Sequence, residues 1–104
     1  MEQQAAAYLI EKGYTILERN YYAGHKEIDL VALEGGYLVF VEVKYRKNEK
    51  MGRPEEQITW RKMENLREAA KKYIYNKRLP QDTPCRFDVV CMLDAEISLI
   101  QNAF

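Results

Sequence analysis

Residues 26–44 read KEIDLVALEGGYLVFVEVK, and the way this stretch pairs with itself decides the fold. Two apolar runs rich in Val, Leu and Ile flank Gly35-Gly36. Each has the length of a strand, and two consecutive glycines favour the left-handed two-residue turn that closes a hairpin. In that register position 34 faces position 37. Val31 then meets Phe40 and Leu33 meets Leu38 on one face, while Ile28 meets Val43, Leu30 meets Val41 and Ala32 meets Val39 on the other. Both faces are apolar near the turn, so the hairpin belongs inside a sheet that is covered on both sides.

The same register sets Asp29 opposite Glu42, and Glu27 opposite Lys44. Directly opposed side chains have Cβ atoms about 4.5–5.5 Å apart, and like charges there are destabilising. Two accounts answer this. In the first, the four residues form a charge network at the end of the hairpin, with Lys44 neutralising Glu27 and Glu42. In the second, Asp29 and Glu42 are oxygen ligands of a hard divalent cation, Mg2+ or Mn2+, which cancels the repulsion. Lys44 would stand beside the water to be activated, as in metal-assisted phosphodiester hydrolysis. The spacing Asp-x12-Glu-x-Lys on adjacent strands behind an N-terminal helix favours the second.

Outward from the hairpin, residues 2–12 form a helix with Ala5, Ala6, Leu9 and Ile10 on one side and Gly13 as its stop. Residues 14–19, YTILER, alternate as a strand, and NYYAGHK is a loop. After the hairpin comes a polar loop, KNEKMGR. Pro54 opens a long helix that runs to about Lys77, with Ile58, Met63, Leu66, Ala69, Ala70, Tyr73 and Ile74 apolar. Residues 85–93 and 97–101 are two last strands. The order αβββαββ predicts an α/β fold, a mixed sheet flanked by helices.

The chain of 104 residues, 47% of them hydrophobic, suits one domain with one core. No stretch approaches the roughly 18 apolar residues of a membrane span, and MEQQAAAYLIEKGY lacks the pattern of a signal peptide. A cytoplasmic protein with no membrane partner is expected. Cys85 and Cys91, on one strand, would have Cα atoms on the order of 20 Å apart, beyond disulfide reach, and are expected to be reduced and mostly buried.

The formal net charge is zero, but it is unevenly distributed. Residues 1–43 carry 3 basic and 7 acidic side chains, residues 44–78 carry 12 and 5, and residues 79–104 carry 1 and 4. The basic middle can present phosphates with a positive surface even in a neutral protein, or can be a solvated helix laced with ion pairs.

In AAAYLIEKGYTILERN, EIDLVAL, LVFVEVKYR, GRPEEQITWRKMENLREAAKKYI, RFDVV and the final AF, the chain resembles, block by block, the YraN family of small bacterial proteins. That family is placed in the restriction-endonuclease-like, PD-(D/E)XK, superfamily and is similar in fold to archaeal Holliday junction resolvases. The resemblance implies a restriction-endonuclease-like domain over residues 1–104 with its metal site at the sheet edge. It implies that Asp29, Glu42 and Glu2 hold the cation and that Lys44 orients or helps activate the attacking water, the four forming the catalytic set. Glu27 matches the acidic residue of the family's Gly-Glu-Ile-Asp token, Arg46 the arginine after Glu-Val-Lys, and Lys62 a lysine early in the long helix. Two departures stand out. Lys26 replaces the glycine before Glu27, and the basic segment that precedes the family's first helix is missing, so a shortened N-terminus and a shifted Glu2 are expected.

Arg46, Lys47, Lys50 and Arg53 follow the site and suit phosphate contact. Lys62 falls on the apolar side of its helix, where it either snorkels outward or reaches the site. Tyr21 and Tyr22 either stack on unpaired bases or pack over the sheet edge, and packing is favoured. His25 is an ordinary loop residue, and Trp60 belongs to an interface or the core. The expected function is divalent-metal-dependent endonuclease action on structured or branched DNA, with DNA preferred to RNA as partner. The alternative is a nucleic-acid-binding module of a DNA-processing complex with little cleavage. A homodimer through Trp60 or residues 97–101 would suit an enzyme that acts on two strands.

Overall fold

The hairpin forms in the register that the glycines dictate. Glu34 faces Tyr37, Leu33 faces Leu38, and the ladder continues through Val31–Phe40 to Leu30–Val41. Gly35 and Gly36 have φ of +58° and +84°, the left-handed pair that matches the twist of the flanking strands. The computed structural model describes residues 2–47 and 58–104. Its elements are α1 (Glu2–Glu11), β1 (Thr15–Ala23), β2 (Lys26–Glu34), β3 (Tyr37–Arg46), α2 (Trp60–Asn76), β4 (Cys85–Leu93) and β5 (Glu96–Ile100).

The five strands lie in chain order in one sheet. Neighbours are antiparallel except β3 and β4, which run parallel because the chain returns through α2 between them. The sheet is thus mixed, with one helix on each face. Against one face α1 sets Ala5, Ala6 and Leu9 on Leu30, Ala32, Val39, Val41, Val90 and Met92. Against the other α2 sets Leu66, Ala69, Ala70 and Tyr73 on Ile28, Val31, Leu38 and Phe40. The order αβββαββ and the two covered faces are those expected of a restriction-endonuclease-like fold. Cys85 and Cys91 are both in the reduced form, Cys91 buried and Cys85 partly so. No helix among the described residues is long and apolar enough to cross a membrane.

Three local expectations are corrected. The stretch NYYAGHK is not a loop: β1 continues to Ala23, and Gly24-His25 make a second two-residue turn with Ala23 facing Lys26. The strand bulges earlier, between Ile16 and Glu18, and a left-handed Asn20, φ +52°, accommodates the polar start of the loop-like stretch. The long helix does not run unbroken from Pro54, which lies outside the described residues. It starts at Trp60, where Thr59 is extended and its hydroxyl accepts the Lys62 N–H at 3.1 Å. Ile10, expected on the buried side of α1, is 53% exposed.

The cap carries a test. Thr59→Ala leaves that N–H without its protein acceptor and is expected to cost about 1 kcal/mol, a fall of roughly 4–8 °C in Tm, by thermal denaturation. An unchanged Tm would show that the cap contributes nothing.

Candidate functional site

Past Leu30–Val41 the β2–β3 ladder stops, and the site occupies the gap. Ile28 and Leu30, two residues apart, lie in opposite cores, so the alternation of β2 slips by one residue at Asp29. The expected pairing of Ile28 with Val43 on one face is therefore not formed: Ile28 joins the α2 side and Val43 packs on the α1 side. Instead of sitting across a regular ladder, Asp29 turns its carboxylate onto β3 and accepts the Val43 N–H at 2.8 Å.

Glu42 is 2% exposed, an uncommon place for a carboxylate. Its Oε2 is met by Lys44 Nζ at 3.1 Å and by Lys62 Nζ at 3.4 Å. Its Oε1 is buried without a hydrogen-bond partner among the described residues. The Asp29 carboxyl stands within hydrogen-bonding reach of Glu42. Two ionised carboxylates offer each other no donor, so the pair favours a proton on one of them or positive charge beside them, and Lys44 and Lys62 supply such charge at Glu42. Burial, followed by the charge and hydrogen bond of Glu42, pushes the Asp29 pKa up to about 7, against the Val43 N–H, which favours the ionised form.

On the other side of Asp29 lie Glu2, from the first turn of α1, and Glu27. Ligand oxygens of Glu2, Glu27 and Asp29 fall within 4.8 Å of one another. Asp29 thus links a buried partner, Glu42, to two partly exposed ones. Tyr22 hydrogen-bonds Glu27, which raises the pKa of its phenol. The expected contact between Glu27 and Lys44 gives way to this grouping, while Lys44 pairs with Glu42. Lys26, in the place of the family glycine, forms an ion pair with Glu68 of α2 and ties the β1–β2 turn to that helix.

The residues singled out in the sequence fall into three groups. Asp29, Glu42, Lys44, Glu2 and Lys62 converge, and Lys62 reaches the buried carboxylate rather than snorkelling outward. Arg46 and Lys47 end β3 just beyond, where Arg46 donates to the Tyr45 carbonyl at 2.8 Å and Lys47 is exposed. Lys50 and Arg53 lie outside the described residues. His25 is exposed in its turn. Tyr21 packs edge-on against Tyr73, with ring centroids 4.9 Å apart, whereas Tyr22 is 67% exposed. A groove of about 910 Å³ lined by Lys71, Ile74, Tyr75, Arg78 and Leu79 opens at the far end of α2 from Lys62. The carboxylates lie apart from it, where the β2–β3 ladder ends and β3 continues against β4.

A second polar cluster on the α1 face was not foreseen. Asp88, fully buried, accepts from Tyr14 Oη at 2.6 Å, from Arg86 Nε and Nη2 at 2.9 Å each, and from the Asn102 N–H at 2.9 Å. Arg86 also reaches Glu34 at 2.7 Å. Burial and the Asp88 bond raise the Tyr14 pKa to about 12. The one sequence signal was an aspartate inside the apolar run FDVVC. Its carboxylate has a donor on each oxygen, so the cluster holds the fold and offers no open ligand position.

A sequence model of the Uncharacterised protein family UPF0102 matches residues 1–92. A UPF0102 protein of Lachnoclostridium phytofermentans is 59% identical over 99% of this chain and 87% of its own length. UPF0102 proteins of Syntrophomonas wolfei and Thermodesulfovibrio yellowstonii are 45% and 41% identical, each over 99% of this chain and over 92% and 90% of their lengths.

Proposed function

The chain belongs to the uncharacterised protein family UPF0102, the YraN family, and from that premise we propose that it is a divalent-metal-dependent endonuclease acting on structured or branched DNA. The observation that carries this is the pairing of two close carboxylates, Asp29 and Glu42, with the Glu42 Oε1 buried and without a hydrogen-bond partner among the described residues. An unshared carboxylate oxygen facing a second carboxylate is costly in a structural site and useful in one built for a hard cation. Asp29 and Glu42 would hold Mg2+ or Mn2+, with Glu2 and Glu27 completing the oxygen set through Asp29.

When bound, such an ion supplies Lewis acidity to the phosphoryl oxygen and to the attacking water. The rest of the chemistry belongs to the chain. Lys44, its ammonium on Glu42, is placed to orient the water and take part in its proton transfer. Lys62 adds a second positive charge where negative charge grows on the phosphoryl group. Arg46 at the end of β3, Lys47 just after it and the exposed Arg61 on α2 supply phosphate contacts, which hold the strand without reading its sequence.

One observation favours the alternative of a binding module. Lys44 and Lys62 already neutralise Glu42 on one oxygen, as they would in a purely structural network. The decisive experiment screens cleavage of linear duplex, single-stranded, flap and four-way DNA with Mg2+, Mn2+ or chelator. Cation-dependent cleavage that favours the branched substrates is expected. Binding with no cleavage of any substrate under either ion would assign the module.

A further inference from the structure

We propose that the Trp60 ring is a stacking platform for an unpaired nucleobase. On the nuclease reading, on which this rests, the preferred substrate then carries single-stranded nucleotides beside duplex. Trp60 is the only tryptophan and is 71% exposed. It neither enters the core nor packs across the sheet. It opens α2, two residues before the Lys62 that reaches Glu42, so the ring and the site share one end of that helix.

The ring is braced. The Arg67 guanidinium lies 5.9 Å from its centroid and is fixed by a 2.8 Å bond to Glu64. Arg67 is also 5.5 Å from the Phe104 ring, which stacks at 5.1 Å on Phe87 of β4. A chain of contacts therefore runs from the sheet to Trp60, and the platform needs little ordering when it is used.

Charge decides the occupant. Arg67 lies against the ring, the exposed Arg61 follows it in the chain, and the nearby Glu64 is already engaged by Arg67. An apolar protein surface would have to cover the exposed Arg61 beside the ring. A second copy docking ring to ring about a two-fold axis would set the basic start of α2 against its own counterpart, like charge facing like. A single strand of nucleic acid satisfies both features at once, presenting a flat base to the indole and phosphates to the cations. In a duplex the bases are stacked on one another and unavailable.

The single tryptophan also reports its own occupancy. Its fluorescence, excited at a wavelength that spares the tyrosines, is titrated in chelator with oligo(dT), oligo(U), a blunt duplex and a duplex bearing a single-stranded flap. Quenching by the single strands and the flap, but not by the blunt duplex, is expected, and the dT and U arms show whether the sugar matters. Trp60→Phe should keep most of the affinity for oligo(dT), measured by anisotropy, while Trp60→Ala weakens it about fivefold to a hundredfold and leaves duplex affinity unchanged. Circular dichroism checks that the variants fold. If single strands bind the parent without quenching and Trp60→Ala binds them equally well, the platform is overturned while the nuclease reading stands. If no nucleic acid binds the parent either in chelator or with Mg2+, the nuclease reading fails and the platform with it. If Trp60→Ala converts a dimer to a monomer by light scattering, the ring belongs to a contact between copies and the platform is overturned.

Discussion

Arg86→Met is expected to destabilise the protein by about 3–5 kcal/mol, the cost of leaving a buried charge without its partner. Asp88 is fully buried and takes two of its four described hydrogen bonds from Arg86. Without the guanidinium, Asp88 keeps only Tyr14 and the Asn102 N–H, and Glu34 loses its cation as well. For a chain of this size the Tm should fall by well over 10 °C, since each kcal/mol is worth roughly 4–8 °C. The double variant Arg86→Met, Asp88→Asn should recover part of the loss, because the remaining amide carries no charge to strand. Urea denaturation measures both. A loss below about 1 kcal/mol would mean that water replaces the guanidinium, and that this network is not what holds Tyr14, Glu34 and the C-terminal residues to β4.

The second large effect lies at the carboxylate site and has opposite signs for activity and stability. Asp29→Asn or Glu42→Gln should reduce cation-dependent cleavage by at least about a thousandfold, ~4 kcal/mol of transition-state stabilisation. Without metal, the same changes should stabilise the fold at pH 8. The folded protein holds the Asp29 proton to about pH 7, whereas the unfolded chain releases it near 3.8. The contribution of this group is therefore full below about pH 4, declines as pH rises through the interval to about 7, and is flat above it. At the limit the decline is about 4 kcal/mol, larger than the 0.2–1 kcal/mol of an exposed cross-strand pair. Asp29→Asn removes that slope, and excess Mg2+ or Mn2+ offsets it in the parent by binding only the folded state. Lys44→Met differs from both, keeping the cation-induced rise in Tm while losing rate. A metal-free parent whose stability does not fall between pH 4 and 7 would show that Asp29 is ionised throughout.

Much of this site is legible in the sequence, because the hairpin fixes it locally. Two glycines set the turn, the turn sets the register, and the register brings Asp29 toward Glu42 across a short span of chain. What strict alternation cannot show is the slip at Asp29, which sends Ile28 to the α2 face and lets the carboxylate bond the Val43 N–H. The position of Lys62 on the apolar side of its helix is equally legible. Its destination is not, since that depends on how α2 crosses the sheet. The start of α2 is misjudged because Pro54 is a strong opening signal, while the hydroxyl of Thr59 is a weak one that acts only once the chain is extended there. The Arg86–Asp88 cluster escapes notice because its partners, Tyr14, Glu34, Gln101 and Asn102, come from distant parts of the chain. No spacing in the sequence encodes them together.

The bulge in β1 has a meaning beyond pairing. This strand is one edge of the sheet, and an edge exposes a row of unpaired N–H and C=O groups to any extended segment that passes. Leu17 and Leu33 are exposed on β1 and its neighbour β2, which would make a regular edge attractive to another chain. The irregular pairing between Ile16 and Glu18, the charges of Glu18 and Arg19, and the left-handed Asn20 interrupt that row within a few residues. A strand trying to add there would lose register before it gained a ladder. The irregular middle of β1 thus works against edge-to-edge addition on this side of the sheet.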